Sequence, residues 1–502
     1  MKIIKNMKRS SILFFLAIFS FLNAQQLFSQ ENKRLSLEQV IELAEDQSLQ
    51  AILSKHMFRA SYWEYRTFKA EYLPSLTLTG TLPEYNRIYE KEYDYNTGSE
   101  YYVEKNTNSI SGQLSLKQNI GLTGGNISLE SDFRRFDVIS PDGSTTKYIS
   151  TPVSVNYNQP LFRFNELKWQ KEIEPMKYEE AKKEYIASLE EVHLSAVRRF
   201  FQLALAQINM EIANMNYANA DTLYRIAQGR YNLGTIAENE LLQMELSFLN
   251  AETSRNKSYN SLNDMKQRLA SFLGFTENVE IELIIPNEIP EFEVTADEVL
   301  NKAIENNPEM LSMEVQLLEA KRDVARAKAE KGLNANMNVS FGLQGQDALI
   351  PGAYQALDDQ QRISVGFTIP IVDWGLGRGR YRMAQSSQEV IRTQVEQSML
   401  DFEQQLFLDV AQFNLQNDQV RIAAKSDTVA MKMYEVTKQR FLIGNVDVLE
   451  LNNADTKKDE NRRAYIQALN DYWSYYYNIR SLTLYDFEAD KPIEADFEDL
   501  VE

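Results

Sequence analysis

The feature that most constrains the fold of this chain is an internal duplication held at one offset. Residues 230–234 (RYNLG) match residues 440–444 (RFLIG), and the same shift of 210 positions places Pro160 on Pro370. Two distant landmarks that share one shift indicate two copies of a single structural unit. The chain is therefore expected to fold as two related halves.

The N-terminal parts of the two halves match at a second shift, of 259 positions. Residues 35–40 resemble residues 294–299 at this shift. Since 259 exceeds 210 by 49, the first half holds 49 additional residues, which lie upstream of Pro160. We predict a first repeat over residues 35–273 and a second repeat over residues 294–484.

The first 24 residues are typical of a secretory signal peptide. Basic residues come first, an apolar run follows over residues 12–22, and Ala24 lies near the expected cleavage site. A run of about 11 apolar residues is shorter than the roughly 20 that a membrane-spanning helix needs. Since no later apolar run is longer, we expect an exported protein that crosses a second membrane, if at all, with β-strands.

Composition excludes several classes of function. With 53 basic and 72 acidic residues the formal net charge is −19, whereas nucleic-acid binding depends on basic patches. The chain has no cysteine, and its two histidines, His56 and His193, lie too far apart in sequence for a metal-site spacing. Ser-His-Asp signatures, HExxH motifs and phosphate loops are also absent from the sequence. We expect no enzyme, no cofactor, no metal and no nucleic-acid partner.

Each half repeats one order of elements: a short helix, strands, a very long helix, a turn and a second long helix. Ser36 with Gln39, and Thr295 with Glu298, fit capping boxes that start the short helices. The strands place Ser, Thr, Asn and Gln on one face, a pattern that suits transmembrane strands between lipid and water. They are predicted at Ser109–Asn119, Asn126–Phe136, Tyr148–Asn158, Asn336–Gln344 and Arg362–Ile369.

The long helices are predicted from stretches that contain almost no helix-breaking residues. Residues 165–232 could form one helix on the order of 100 Å long, and returning helices are predicted over residues 238–273 and 448–484. A helix this long cannot bury its apolar stripe on one neighbour, so we expect a bundle completed by other chains. The acidic tail, residues 486–502, is expected to be disordered.

Over residues 35–484 the chain resembles the TolC family of outer-membrane efflux proteins. The resemblance rests on the order of the elements and on the duplicated spacing from proline to glycine. It also rests on the strings that recur at corresponding places: residues 159–162 and 369–373 at the sheet-to-helix junctions, and residues 230–234 and 440–444 at the helix–helix turns.

The resemblance implies an α+β membrane protein that assembles as a homotrimer. Its antiparallel transmembrane strands would form a β-barrel in the lipid of the outer membrane, and its very long antiparallel helices would continue as an α-barrel in the periplasm. Such proteins are exit ducts of tripartite efflux or type I secretion systems. They reach an inner-membrane pump of the RND or ABC type through a periplasmic adaptor protein.

The additional residues of the first half set this chain apart from the family pattern of twelve barrel strands per trimer. They hold a further hairpin, residues 109–136, which either extends the barrel toward eighteen strands or stands above it as an external ribbon. We favour the ribbon. Six tyrosines nearby form either an interfacial girdle or an external loop, because their spacing fits no single face: Tyr85, Tyr89, Tyr93, Tyr95, Tyr101 and Tyr102.

A small acidic group follows the second helix–helix turn. Asp447 and Glu450 lie three residues apart, and Glu240 is the repeat mate of Glu450. The resemblance implies an acidic ring around the periplasmic gate, with some carboxylate pKa values raised by mutual repulsion in a trimer. The alternative is that acidic residues in a first helical turn serve only the helix dipole.

The helix–helix turns expose aliphatic residues, which indicates a docking surface for the adaptor. The alternative is that neighbouring hairpins cover these residues in the closed trimer. Pro160 and Pro370 are predicted to mark the sheet-to-helix junctions. The residues assigned to the docking tips are Leu233, Gly234, Thr235, Ile443, Gly444 and Asn445.

A second hypothesis is a soluble periplasmic coiled-coil scaffold without channel activity. It accounts for the helices but leaves the two-faced strands unexplained. Fractionation discriminates the two hypotheses, because a channel protein partitions with outer membranes and a scaffold stays soluble.

Overall fold

The computed structural model describes residues 32–95, 97–140, 143–275, 279–286, 288–290, 292–443, 445–446 and 448–501. The predicted signal peptide, residues 1–24, lies outside the described residues, as do Gly444 and Asp447.

In its described residues the first half contains five strands and four helices, in an order that follows the sequence prediction. They are β1 (Asn32–Leu35), α1 (Leu37–Gln47), α2 (Leu49–Glu71), β2 (Ser75–Asp94), β3 (Ser99–Ile120), β4 (Gly125–Ser140), β5 (Gly143–Leu161), α3 (Glu166–Asn232) and α4 (Glu238–Phe272).

The second half repeats this order with two strands fewer in its sheet and ends in a short tail. Its elements are β6 (Glu280–Leu283), α5 (Ala296–Asn306), α6 (Pro308–Glu330), β7 (Asn334–Asp347), α7 (Ile350–Gln355), β8 (Leu357–Thr368), α8 (Leu376–Leu442), α9 (Val448–Thr483), β9 (Tyr485–Asp486), β10 (Lys491–Pro492) and α10 (Phe497–Val501).

The predicted duplication is confirmed by the helix boundaries. Helices α3 and α8 have 67 residues each, and both ends of α8 follow those of α3 by the shift found in the sequence. Helices α2 and α6 have 23 residues each and follow the second shift. The capping box predicted for Ser36 and Gln39 is confirmed, whereas the pair of Thr295 and Glu298 forms only its N-cap half, in which the Thr295 side chain accepts from the Glu298 N–H.

Six strands form one antiparallel sheet in the order β2–β3–β4–β5–β7–β8. The hairpin β3–β4 pairs along its length with both neighbours, and its turn lies at the end of the sheet where the helices begin. There the Asn165 side chain donates to the Gly121 and Leu122 carbonyls at 3.0 and 3.2 Å. The favoured assignment of residues 109–136 to an external ribbon is therefore wrong, because this hairpin is an interior part of the sheet.

A ribbon does project from the sheet, but it is formed by other residues. Strand β4 ends its pairing where Ile139 meets Asn106, whereas β2 and β3 continue to the pair Asp94–Ser99. The seven residue pairs from Ile88–Lys105 to Asp94–Ser99, at about 3.3 Å each, extend the ribbon roughly 23 Å beyond the sheet. The register also corrects the expectation for the tyrosines, since four of them share one face of the ribbon: Tyr85, Tyr89, Tyr93 and Tyr102.

The long helices pack side by side in the lateral order α4–α3–α9–α8. An apolar stripe of α3 is buried over most of its length, with Phe201, Ala204, Ile208 and Ile212 inside the main apolar cluster. Phe413 of α8 and Tyr472 of α9 belong to the same cluster, so the two halves share one core. In the described parts of the chain, every helix is too short or too polar to span a membrane.

A buried ionic group ties the two halves together beside this core. Arg480 of α9 donates two hydrogen bonds, of 2.9 and 3.0 Å, to the carboxylate of Glu190 on α3. His193 lies between Glu190 and Glu45 of α1, with Nε2 3.0 Å from the Glu45 carboxylate. Burial alone lowers the pKa of His193, but the two carboxylates outweigh it and raise the pKa to about 9.

The acidic tail is ordered, which corrects the expectation of disorder. Phe497 packs its ring 5.2 Å from that of Phe58 on α2, and Arg59 donates to the Leu500 carbonyl. Asp486 pairs with Arg480. The prediction of disorder rested on the acidic composition of the tail, whereas the aromatic side chains of Phe487 and Phe497 and two arginine contacts hold this segment on the helices.

The ionic group generates a prediction about pH. Because the pKa of His193 is raised from 6.5 to about 9, its contribution to stability is fully present below about pH 6.5 and is lost as pH rises through about 9. The loss is on the order of 3 kcal/mol. Thermal unfolding in detergent between pH 6.5 and 9.5 should show a falling midpoint. The decrease of the unfolding midpoint with pH should become smaller in His193→Gln. It should stay unchanged in His56→Gln, which alters an exposed histidine.

Candidate functional site

One face of the six-stranded sheet is a continuous apolar surface. The register places Leu76, Leu116, Leu129, Val155 and Phe341 side by side on five consecutive strands. These side chains are 40–64% exposed in the single chain. Strand β8 continues the same face with Ile363, Val365 and Phe367. An exposed apolar surface across a whole sheet marks a contact with lipid or with another protein.

The opposite face is polar along the same strands. One row runs across β3, β4, β5, β7 and β8 and consists of Asn119, Asn126, Asn158, Asn338 and Ser364. Farther from the helices along β4, Glu130 accepts hydrogen bonds from Gln113 at 3.1 Å and from Ser128 at 2.7 Å. Amides, hydroxyls and a hydrogen-bonded carboxylate suit a water-filled space. The sheet thus has one apolar face and one polar face.

The two junction prolines lie where the sheet passes into the long helices. Pro160 pairs with Asn336 at the end of β5, and Asn165 then caps α3 by accepting from the Lys168 N–H at 3.2 Å. Pro370 follows β8, and the left-handed Gly375 takes the cap position of α8. The Asn165 side chain also binds the turn of β3–β4. The described part of the second half has no such hairpin, which accounts for Gly375 at the position that corresponds to Asn165.

The helix–helix turns are built alike at the far end of the helices. Gly234 has φ +72°, and the Thr235 N–H donates to the Arg230 carbonyl at 2.9 Å. The second turn repeats this bond from the Asn445 N–H to the Arg440 carbonyl, also at 2.9 Å. This motif satisfies the last carbonyls of a helix and requires a left-handed residue after it.

The tip residues themselves are exposed. Leu233 is 80% and Ile443 71% exposed, and Thr235 and Asn445 are exposed beside them. No heavy atom lies within 4 Å of a Cβ built on Gly234. Of the predicted tip residues, only Gly444 lies outside the described part of the chain.

The acidic residues lie in the first turns of the returning helices. Glu240 is in the first turn of α4 and Glu450 in the first turn of α9. Arg440 lies 3.8 Å from the Glu450 carboxylate, so this acid has a basic neighbour at the tip. Asp447 is outside the described residues. Assignment of these acids to a gate therefore stays a prediction.

Sequence reasoning missed a buried polar group in the half of the long helices that is nearer the helix–helix turns. Lys458 of α9 is only 2% exposed and lies 2.6 Å from Asp455 and 3.3 Å from Asp459. Its ammonium also lies 4.0 Å from the centre of the Tyr434 ring on α8. Burial lowers the pKa of Lys458, but the flanking carboxylates outweigh it and raise the pKa.

The same group reaches across to α3. Asn219 donates to the Tyr434 hydroxyl at 3.1 Å, and Asn216 donates to Asp459 at 2.8 Å. The group therefore links three long helices close to the exposed tips. The i, i+3 spacing of Asp455 and Lys458 is visible in the sequence, but it is equally typical of solvated helix faces. Only packing distinguishes the two cases.

The family model of the outer membrane efflux protein matches residues 41–275 and 299–483. No curated protein sequence matches the chain.

Solved structures of three bacterial membrane proteins share the fold. The CmeC outer membrane channel of Campylobacter jejuni has a TM-score of 0.65 at 13% identity, covering 92% of this chain and 88% of CmeC. A membrane protein of Pseudomonas aeruginosa has a TM-score of 0.64 at 14% identity, covering 93% and 92%. The outer membrane protein VceC of Vibrio cholerae has a TM-score of 0.57 at 13% identity, covering 91% and 97%.

The buried lysine generates a prediction about stability. Lys458→Ala leaves the buried Asp459 without its cation, and breaking a buried pair in this way costs about 3–5 kcal/mol. The neighbouring Lys457 lies 2.8 Å from Glu460 on the surface, and Lys457→Ala should cost at most about 1 kcal/mol. Chemical unfolding of both variants measures the difference. Equal losses would show that Lys458 is solvated in the assembled protein.

Proposed function

Because the chain belongs to the outer membrane efflux protein family, the TolC family, we propose that it is the passive exit duct of a tripartite efflux or type I secretion system. It receives substrates from an inner-membrane pump, of the RND or ABC type, through a periplasmic adaptor. The observation that carries this proposal is the two-faced sheet continued by helices of 67 residues.

The sheet supports insertion into the outer membrane as a closed wall. Its apolar face would contact lipid and its polar face would line water. Strands β2 and β8 are the edges, and backbone groups left unpaired in hydrocarbon cost several kcal/mol each. Each chain contributes an even number of antiparallel strands, so β8 of one copy can pair antiparallel with β2 of the next. Pairing of this kind closes a ring.

The outer helices support the same ring in the periplasm. Along α8 the exposed apolar residues recur at intervals of seven, which is typical of helices that pack into a partner helix. They are Leu408, Leu415, Ile422, Val429 and Val436, each 51–62% exposed. At the other side of the chain, α4 exposes Leu242, Leu246 and Leu249 on one face. A head-to-tail contact between these two stripes is the arrangement that closes a homotrimer.

The tips support an adaptor contact. Leu233 and Ile443 expose aliphatic side chains at the end of the tunnel, where a protein partner can cover them. In a homotrimer a gate formed by the carboxylates of Glu240, Asp447 and Glu450 would favour cations over anions. The soluble-scaffold hypothesis gains no support, because it gives the apolar face of the sheet nothing to contact.

The proposed function is tested on the full-length protein expressed in its bacterial host. It should be recovered with outer membranes, require detergent for extraction, migrate as a trimer on calibrated size exclusion, and form ion-conducting channels in planar bilayers. Recovery as a soluble monomer without conductance would refute the proposal and favour the scaffold.

The docking assignment generates a separate prediction. Leu233→Gln combined with Ile443→Gln should lower export at least tenfold and reduce co-purification of the adaptor, because each exposed aliphatic contact is lost from a small interface. The trimer should persist, since the tips lie outside the sheet. Leu49→Gln, at a leucine 75% exposed elsewhere, is the matched control and should leave export unchanged. Wild-type export in the double variant would exclude the tips as the docking surface.

A further inference from the structure

We infer that the hairpin β3–β4 is part of the membrane wall, so that three copies close eighteen strands around a bore as wide as the helical tunnel. The sheet then passes any cargo that the tunnel admits, compact polypeptides included. The inference rests on the trimeric duct proposed above and specifies its strand number and the size of its cargo.

The apolar face crosses the hairpin without interruption. Leu116 of β3 lies opposite Leu129 of β4, and Leu129 lies opposite Val155 of β5. All three are 40–45% exposed, as are Leu114 and Ile127 of the same hairpin, at 44% and 41%. A hairpin surrounded by water would have no need of this alternation, whereas a strand pair inside a lipid-facing wall requires it.

The polar face is continuous as well. Lys117 of β3 lies opposite Ser128 of β4, which lies opposite Asn156 of β5. Glu130 of β4 is held by the β3 side chain of Gln113 across the strand pair. The hairpin therefore presents to the bore the same kind of surface that β5 and β7 present.

The position of the turn fixes the depth of the hairpin. The Gln118 side chain donates to the Tyr72 carbonyl at 2.8 Å, and Asn119 donates to the Glu71 carbonyl at 2.9 Å. These carbonyls belong to the end of α2, from which β2 enters the sheet. The hairpin thus reaches down to the level at which the chain enters and leaves the sheet, and it spans the same height as its neighbours.

Simple geometry gives the consequence for the bore. Strands about 4.8 Å apart and tilted by about 40° close a perimeter of about 110 Å when there are eighteen of them, and about 75 Å when there are twelve. Four long helices from each of three copies, at roughly 9–10 Å between axes, close a ring of about 110–120 Å. Eighteen strands at an ordinary tilt therefore match the ring of helices below them.

The number of strands sets the width of the bore and therefore the size of the cargo that the sheet can pass. After about 5 Å of side chain is subtracted from each wall, eighteen strands leave a bore about 25 Å wide and twelve leave about 14 Å. A single helix is about 10–12 Å across with its side chains. Two packed helices therefore fit the wider bore and not the narrower one.

Single-cysteine variants test the position of the hairpin, since the chain has no cysteine of its own. Leu129→Cys on the hairpin and Val155→Cys directly opposite on β5 are labelled with an environment-sensitive fluorophore in proteoliposomes that contain nitroxide-labelled acyl chains. We expect equal quenching at both positions, and Leu116→Cys gives an independent reading on β3. Quenching at Val155 alone would overturn the inference while leaving the duct intact. Quenching at none of the three would overturn the proposed barrel itself.

The width of the bore is tested from outside intact cells. Asn126→Cys lies on the polar face near the helix end of the sheet, and it should react with maleimide-polyethylene glycols up to about 20 Å across. Tyr95→Cys, at a residue 91% exposed near the end of the ribbon, should react with every size and controls for labelling. A cut-off at Asn126 below about 14 Å would contradict an eighteen-stranded wall.

Discussion

Backbone pairing at the edges of the sheet is the constraint on which the rest of the structure depends. A single chain forms six strands in one antiparallel sheet and leaves β2 and β8 without outer neighbours. One face of this sheet is apolar and exposed, so water is a poor environment for it, and lipid is a poor environment for unpaired N–H and C=O groups. Both conditions are met when the edges of several copies pair with each other, and the long helices then surround a common axis.

The helical part holds the two halves of one chain in register with this sheet. Arg480 and Glu190 join α9 to α3 in a buried, two-bond ion pair, and the group around Lys458 links α9 to α3 through Asp459 and to α8 through Tyr434 nearer the tips. Buried charges of this kind define one alignment of long helices, whereas apolar stripes alone tolerate sliding. The tail adds a third connection, because Phe497 carries the end of the second half onto α2 of the first.

Much of the fold could be predicted from the sequence because hydrophobic periodicity and helix-capping residues are local signals. The repeat shifts predicted which helices correspond, and Ser36, Thr295 and Gly234 marked helix ends through chemistry that acts within a few residues. Two of the corrected expectations, the hairpin and the tail, have a common cause. The hairpin β3–β4 was expected outside the sheet and the tail was expected to be disordered, but both positions are decided by contacts with residues distant in sequence, such as Asn165 with Gly121 and Phe497 with Phe58.

The sequence by itself determined the duplicated order of elements, the lengths of the helices and the alternation that gives each strand two unlike faces, since all three follow from spacing along the chain. Only the tertiary structure decided which strands are neighbours, where the additional hairpin lies and which charges are buried. Those properties depend on pairing partners that spacing cannot specify. A charged pair three residues apart looks the same in sequence whether it is solvated, like Lys457 and Glu460, or enclosed, like Lys458 and Asp455.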